Sequence, residues 1–299
     1  MSLTKKVQEL GASPEAIQHH YNTGNEFYRL WLGKTMAYTC ANWDETDEND
    51  SLDVAQKRNI DFHIKNAHAV GAKRVLDVGC GWGGTLQRLV KVHGVEQAVG
   101  LNLSQSQLEW VAQLNEPKIK GILEGWADHV PEEPYDAIIS IGSFEAFAKL
   151  GLSSPEKVHV YRTFFEKCHQ WLKPGGWVSL QTIAYGNSVA EDASPFITSE
   201  IFQESDLPRL VELTEAVDCL FEVMSLRNDS HHYPRTLKQW YSQLRENRES
   251  AIELVGEKQV VRFERYLRLV RHMFYKGRCV LYRIAFRRID NPRVWQKNK

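Results

Sequence analysis

The sequence lacks the features that would place it in a membrane, in an oxidising compartment or on nucleic acid. Its five cysteines, Cys40, Cys80, Cys168, Cys219 and Cys279, are scattered, odd in number and without a Cys-x-x-Cys pair. That argues against a disulfide framework or a zinc knuckle and fits a reducing, cytoplasmic setting. No stretch approaches the ~18 consecutive apolar residues of a spanning helix. The opening residues, MSLTKKVQELGASPEA, hold no apolar core of signal-peptide length. Charge of one sign is missing too: 37 Lys and Arg stand against 38 Asp and Glu, for a formal net charge of −1. Nothing therefore draws the chain to nucleic acid over long range, and lipid contact is expected to be peripheral at most. The one local bias, the Arg and Lys residues between Arg262 and Arg288, reads as a solvated helix and strand. His63 and His68 are five apart, not the i, i+4 of a metal pair, and no metal is expected.

What is present suits one large α/β domain with an elaborated lid: 299 residues, 42% of them hydrophobic. Residues 4–10 and 14–32 read as helices, the second capped by Ser13 with Pro14 in its first turn. An amphipathic helix over 51–70 follows. The rhythm then changes to strands alternating with helices. Strands are expected at 74–78, 95–101, 120–124, 135–141 and 177–183, with helices running to Val92 and over 104–115 and 154–172 between them. Alternation of this kind implies a parallel sheet covered on both faces. The stretch from 184 to about 256 is polar and helical in patches, with a strand-like run at 221–225, and reads as a lid over the carboxyl edge of the sheet. RCVLYRIAFR, residues 278–287, alternates as a closing strand.

The strongest local signal is VLDVGCGWGG, residues 75–84: a buried strand running into a glycine turn and a helix. Glycines allow positive φ and close backbone approach, and the helix start offers unpaired N–H groups. The spacing of Gly79, Gly81 and Gly83 is G-x-G-x-G, not the dinucleotide G-x-G-x-x-G, although Gly84 softens the distinction. Asp77 two residues before the first glycine, and Lys173-Pro174-Gly175-Gly176 before the fifth strand, both resemble S-adenosylmethionine-dependent methyltransferases. After the second strand Asn102 stands where many such folds carry an acid for the ribose hydroxyls, and an amide can still bond a hydroxyl. A nicotinamide-dependent reductase would need that acid and a full dinucleotide turn. A catalytically dead relative would be expected to have a broken glycine turn.

The segment HHYNTGNEFYRLWLGKTMAYTCANWDE, residues 19–45, resembles the N-terminal signature of the cyclopropane-fatty-acid synthase and mycolic-acid methyltransferase family, through His20, Tyr21, Gly24, Asn25, Phe27, Tyr28, Leu32, Tyr38, Cys40 and Ala41. Further matches follow in order: Gly100, Asn102, Ser104 and Gln107; Gly125-Trp126; Ser140 to Glu145; and His232-Tyr233 with Thr236, Leu237 and Trp240. The resemblance spans about residue 15 to 287. It implies a class I, Rossmann-like methyltransferase fold with a seven-stranded mixed sheet whose last strand is antiparallel. It divides the chain into a helical cap (1–70), a donor-binding core (71–183), lid and substrate-pocket elements (184–275) and a C-terminal strand and tail (276–299). It places S-adenosylmethionine against Tyr38, Thr39, Asp77, Gly79, Gly81, Asn102, Leu103, Gln107, Gly125 and Trp126.

The chemistry the resemblance implies is methyl transfer to an alkene carbon, which needs an apolar cavity, aromatic faces to steady a cation, and a base. Phe27, Tyr28, Trp31, Tyr38, Tyr233 and Phe274 are the candidate aromatics, each equally explicable as core packing. In the family the base is bicarbonate, and its binding residues carry over as Cys40, Glu145, Ile183 and Tyr233. The expected histidine is replaced by Gln181, and Ala146 follows Glu145 where a second histidine is usual. A neutral amide cannot hold positive charge, so bicarbonate binding is expected to be weakened and Glu145 to serve as base. The acceptor is expected to be a lipid, an isoprenoid or a specialised metabolite. N-methylation of a small amine is the alternative.

Overall fold

The computed structural model describes residues 11–21, 23–192 and 194–293, with the side chains of His19 and His20 left out. The helix expected at 4–10 lies outside these residues. The element order is α1 (Pro14–Tyr21), α2 (Asn25–Leu32), α3 (Leu52–Asn66), β1 (Arg74–Val78), α4 (Gly84–Lys91), β2 (Gln97–Asn102), α5 (Gln105–Ala112), β3 (Ile119–Leu123), β4 (Tyr135–Ile141), α6 (Ser154–Trp171), β5 (Leu172–Tyr185), α7 (Leu210–Val217), β6 (Phe221–Asn228), α8 (His232–Glu246), α9 (Arg248–Val255), α10 (Glu257–Tyr275) and β7 (Cys279–Arg288).

The strands form one seven-stranded sheet in the order β3-β2-β1-β4-β5-β7-β6. β1 to β5 pair in parallel, and β7 runs antiparallel to both β5 and β6. β1 is buried at every position, as a central parallel strand must be when helices cover both faces. One face packs α6 and α7 through Phe164, Phe165, Leu213 and Phe286. The other packs α3 and α4 through Ile60, Ile64, Leu86 and Leu89. A third core, of aromatics from α2, α8 and α10, sits above the carboxyl edge of the sheet. Strand order reverses between β1 and β4, so the crevice outside their carboxyl ends is where the topology opens a ligand site.

Four readings are corrected. The helix expected over 14–32 is two helices. Gly24 at φ +105° lies outside helical geometry and breaks it, at a position where only glycine avoids strain. The helix expected over 51–70 ends at Asn66, because His68 takes φ +52° and stacks on Trp177 with ring centroids 4.0 Å apart. Lys173 to Gly176 is not a turn ahead of the fifth strand but a bulge within it. Tyr135 pairs with Leu172 and Ala137 with Trp177, so β4 advances two residues while β5 advances five. Asp136 of β4 holds the bulge by accepting from Lys173 Nζ at 2.5 Å. The segment 184–275 is also not all lid: β6 inside it is an edge strand of the sheet.

Candidate active site

At the carboxyl ends of β1, β2, β4 and β5 lies a cavity of about 520 Å³. At its first wall, Gly79 and Cys80 both donate their N–H to Leu101 O at 3.0 Å, curling the loop back over β2. Gly79 sits at φ +84°, and a Cβ there would run into Ser143. Ser143 Oγ is held by Val78 O at 2.9 Å and by Ser140 Oγ at 2.9 Å, so β4 and β1 leave room for glycine alone. Gly81 at φ +51° has nothing within 4 Å of the place where a Cβ would stand, and it faces the cavity. Bare backbone of this kind is a cradle for a ligand.

Asn25 of the N-terminal signature braces this loop. Its Oδ1 accepts from Trp82 Nε1 at 2.8 Å, and its Nδ2 donates to Ser106 O at 2.9 Å. The sequence match carried no role for it, and only the fold brings α2, the glycine loop and α5 together.

Thirteen of the fifteen residues expected in the site line the cavity: Tyr38, Thr39, Gly79, Gly81, Asn102, Leu103, Gln107, Gly125, Trp126, Glu145, Gln181, Ile183 and Tyr233. Asn102 holds its own loop as well, because its Nδ2 donates to Gly81 O at 3.1 Å and to Gln107 Oε1 at 3.0 Å. With both of its own amide hydrogens spent, Asn102 has none for a cavity hydroxyl, and the neighbouring side-chain amide nitrogen of Gln107 can donate instead. At the same end stand two carboxylates that sequence reasoning missed, Glu124 and Asp128. Glu124 Oε2 is tied to His129 Nδ1 at 3.0 Å, and His129 Nε2 to Tyr135 OH at 3.0 Å. Their signal was their place at the end of the third strand, beside Gly125-Trp126.

Two expected residues lie behind the wall. Asp77 is 2% exposed, and burial pushes its carboxyl up to about 7 while a bond from Thr85 opposes the shift. Cys40, expected in the catalytic pocket, is fully buried beside Thr236 Oγ1 at 3.8 Å, with its thiol pushed up to about 12 by burial. A protonated, enclosed thiol is a packing group. Cys40 contributes its backbone instead, since its carbonyl accepts from Arg283 at 3.2 Å.

The second wall holds Glu145, on a one-turn 3₁₀ helix after Gly142. Its Oε1 accepts the Ile183 N–H at 2.5 Å. Its Oε2 is closed off from solvent and has no hydrogen-bond partner among the described residues. Burial, partly offset by the bond from Ile183, pushes this carboxyl up from 4.5 to about 7. A carboxylate poised near neutrality with a free lone pair can take a proton.

Around it stand Tyr21, Tyr38, Tyr233, Tyr266 and Phe274, with Tyr233 stacked on Phe274 at 4.3 Å between centroids. Phe27, Tyr28 and Trp31 do not reach this wall and pack in the core of the cap. Ile197, Ile201, Phe202 and Leu207 of the lid close the apolar side. The lid is anchored where buried Lys157 Nζ meets Asp206 Oδ2 at 2.8 Å and Leu207 O at 2.5 Å.

Outside the cavity, Glu45, His231 and His232 approach closely enough to share an ion. His232 Nδ1 is spent on the Trp43 N–H at 3.2 Å, and no metal role is assigned to the group.

The sequence profile of the family described as Mycolic acid cyclopropane synthetase matches residues 8–284. The chain belongs to this family. The S-adenosylmethionine-dependent methyltransferase UmaA of Mycobacterium tuberculosis (strain ATCC 25618 / H37Rv) is 32% identical over 291 residues, covering 91% of this chain and 96% of UmaA. Among solved structures, the cyclopropane synthase MmaA2 from Mycobacterium tuberculosis superposes with a TM-score of 0.83 at 28% identity, covering 94% of this chain and all of that one. The mycolic acid cyclopropane synthase CmaA1 complexed with SAH and CTAB gives 0.82 at 30% identity, with the same coverage. As a member of the mycolic acid cyclopropane synthetase family, the protein is an S-adenosylmethionine-dependent methyltransferase. The glycine cradle, with the polar groups of Gln107, Glu124 and Asp128 beside it, fits that donor. Among the described residues no helix is long and apolar enough to cross a membrane.

Proposed function

We propose that the protein methylates an unsaturated carbon of a lipid-like or isoprenoid acceptor, with Glu145 as the base. The observation that carries this reading is Glu145 Oε2, buried with no hydrogen-bond partner among the described residues, on a cavity wall that it shares with Tyr233, Phe274, Ile183 and Gln181. When bound, S-adenosylmethionine supplies an electrophilic methyl group. Tyr38, Thr39, Gly79, Gly81, Asn102, Leu103, Gln107, Gly125 and Trp126 would hold it with that methyl toward Glu145, and Asp77 would stiffen the loop from behind. The acceptor's π electrons would form the new carbon–carbon bond as the methyl's bond to sulfur breaks and S-adenosylhomocysteine leaves, placing positive charge on the neighbouring carbon. The faces of Tyr233 and Phe274 can steady that charge, and Glu145 Oε2 removes the adjacent proton. The lid excludes water, which would otherwise trap the cation.

Bicarbonate has a poor seat here. Gln181 stands where a histidine is expected, and a neutral amide offers no positive charge to hold the anion; its oxygen is already bonded to His63 and Arg283. Binding of CTAB and SAH by the CmaA1 relative supports an elongated amphiphile as acceptor, although the bound chemistry is that relative's own.

The test is incubation with methyl-labelled S-adenosylmethionine and a panel of palmitoleoyl lipids, isoprenoid diphosphates, indoles and amines, with mass analysis of the products. Label on carbon of an unsaturated acceptor is the expected result. Label on an amine nitrogen alone would overturn the C-methylation reading.

A further inference from the structure

Arg283 lies on β7 and is fully buried. All three of its nitrogens are spent. Nε donates to Asn59 Oδ1 at 2.9 Å and to Gln181 Oε1 at 3.0 Å, one terminal nitrogen pairs with Asp229 Oδ2, and the other donates to Cys40 O at 3.2 Å and Ala41 O at 3.3 Å. One side chain thus ties together the cap, α3, β5 and the turn after β6. A guanidinium can only donate, so the Gln181 atom facing it must be the amide oxygen. The Gln181 nitrogen then points the other way and donates to Thr39 Oγ1 on the cavity wall.

His63 locks the same orientation. Its Nε2 lies 3.2 Å from Gln181 Oε1, an acceptor only, so Nε2 must carry the hydrogen. Its Nδ1 then accepts from Ser179 Oγ at 2.8 Å. Burial first, and the Arg283 charge second, push His63 down to about 3, so the ring stays neutral and the tautomer does not change. Gln181 itself is 1% exposed and lines the cavity two residues before Ile183, whose N–H holds Glu145. On a strand, residues two apart share a face.

We propose that Arg283 and His63 are positioning residues that fix the Gln181 amide with its oxygen toward the sheet interior and its N–H toward the cavity, so that the reacting end presents a neutral hydrogen-bond donor to a lone-pair atom of the acceptor molecule. This rests on the reading of the cavity given under the proposed function. One amide hydrogen goes to Thr39 and the second is left for the ligand. The neighbouring guanidinium withdraws charge through the carbonyl and strengthens that donor. Because neither Gln181 nor the neutral His63 titrates near neutrality, the donor stays constant over the range in which Glu145 gains and loses its proton.

The lock is read directly by ¹⁵N NMR of the histidine rings in the intact protein between pH 5 and 8. His63 is expected as a neutral Nε2–H ring throughout. An imidazolium or an Nδ1–H ring would overturn the lock. Its consequence is read in Gln181→Glu. The carboxylate satisfies Arg283 and His63, and Thr39 can turn to donate, so the fold is expected to persist while the cavity donor is lost. Affinity for S-adenosylhomocysteine, measured by calorimetry, should stay within about threefold. The kcat/KM for whichever panel acceptor the parent protein methylates should fall by about ten- to a hundredfold, the range of one lost hydrogen bond to a buried polar group. Unchanged kcat/KM, or an equal loss of S-adenosylhomocysteine affinity, would overturn the donor role. If the parent methylates nothing in the panel, it is the proposed function that fails, while the histidine spectrum still decides the lock.

Discussion

Replacing Glu145 by Gln should make the protein more stable and nearly inactive, with the stability gain dependent on pH. Burial raises the carboxyl from 4.5 in the unfolded chain to about 7 in the folded protein. The folded state therefore holds its proton more tightly, so wild-type stability falls as pH rises from about 4.5 to about 7 and stays at the lower level above that. A shift of this size corresponds to about 3 kcal/mol above pH 7 and about 1 kcal/mol still at pH 5. The glutamine carries no charge, and its oxygen can keep the Ile183 N–H bond. For a chain of this length about 1 kcal/mol moves the melting temperature by roughly 2 °C. Thermal melts should thus show Glu145→Gln ahead of wild type by roughly 6 °C at pH 8 and by roughly 2 °C at pH 5. Turnover should drop by about 10²- to 10⁴-fold for a lost base, with S-adenosylhomocysteine affinity retained. Wild-type turnover should itself rise with pH through about 7. An offset in melting temperature that is equal at both pH values, or turnover at the wild-type rate, would refute the reasoning.

Cys40→Ala should leave turnover within about threefold of wild type and cost about 1 kcal/mol in a denaturant titration, since the thiol packs behind the wall. In the native wild-type protein that thiol should resist alkylation at pH 8. Gly79→Ala should abolish S-adenosylhomocysteine binding by calorimetry, because the added methyl meets Ser143 at φ +84°. Lys157→Met strands the buried Asp206 and Glu212 carboxylates and should cost about 3–5 kcal/mol. Limited proteolysis should then cut first in the lid, near residues 199–204.

Much of this protein is written in short runs of sequence. β1 and β4 match their expected bounds of 74–78 and 135–141, because a buried parallel strand is a continuous apolar run whatever surrounds it. The glycine loop was legible for a similar reason: positive φ and close backbone approach leave glycine almost no substitute. Family motifs marked Glu145, Gln181, Ile183 and Tyr233 as one group across nearly ninety residues of chain, and the cavity does gather them.

Other features needed three dimensions. Sequence pattern named Cys40 as a cavity group, but whether a side chain faces a pocket or the space behind it depends on a few degrees of backbone direction that no motif records. It presented Phe27, Tyr28 and Trp31 as equals of Tyr38, and the break at Gly24 turned those three into the core of the cap. Above all it left Arg283, His63 and Asp229 without a role. They are distant in sequence and belong to no shared motif, and they meet only because β7 returns antiparallel beside β5 and carries Arg283 across to Gln181. Local chemistry is set by neighbours along the chain, whereas the protonation of Glu145 and the orientation of Gln181 are set by burial and by partners that only the folded sheet supplies.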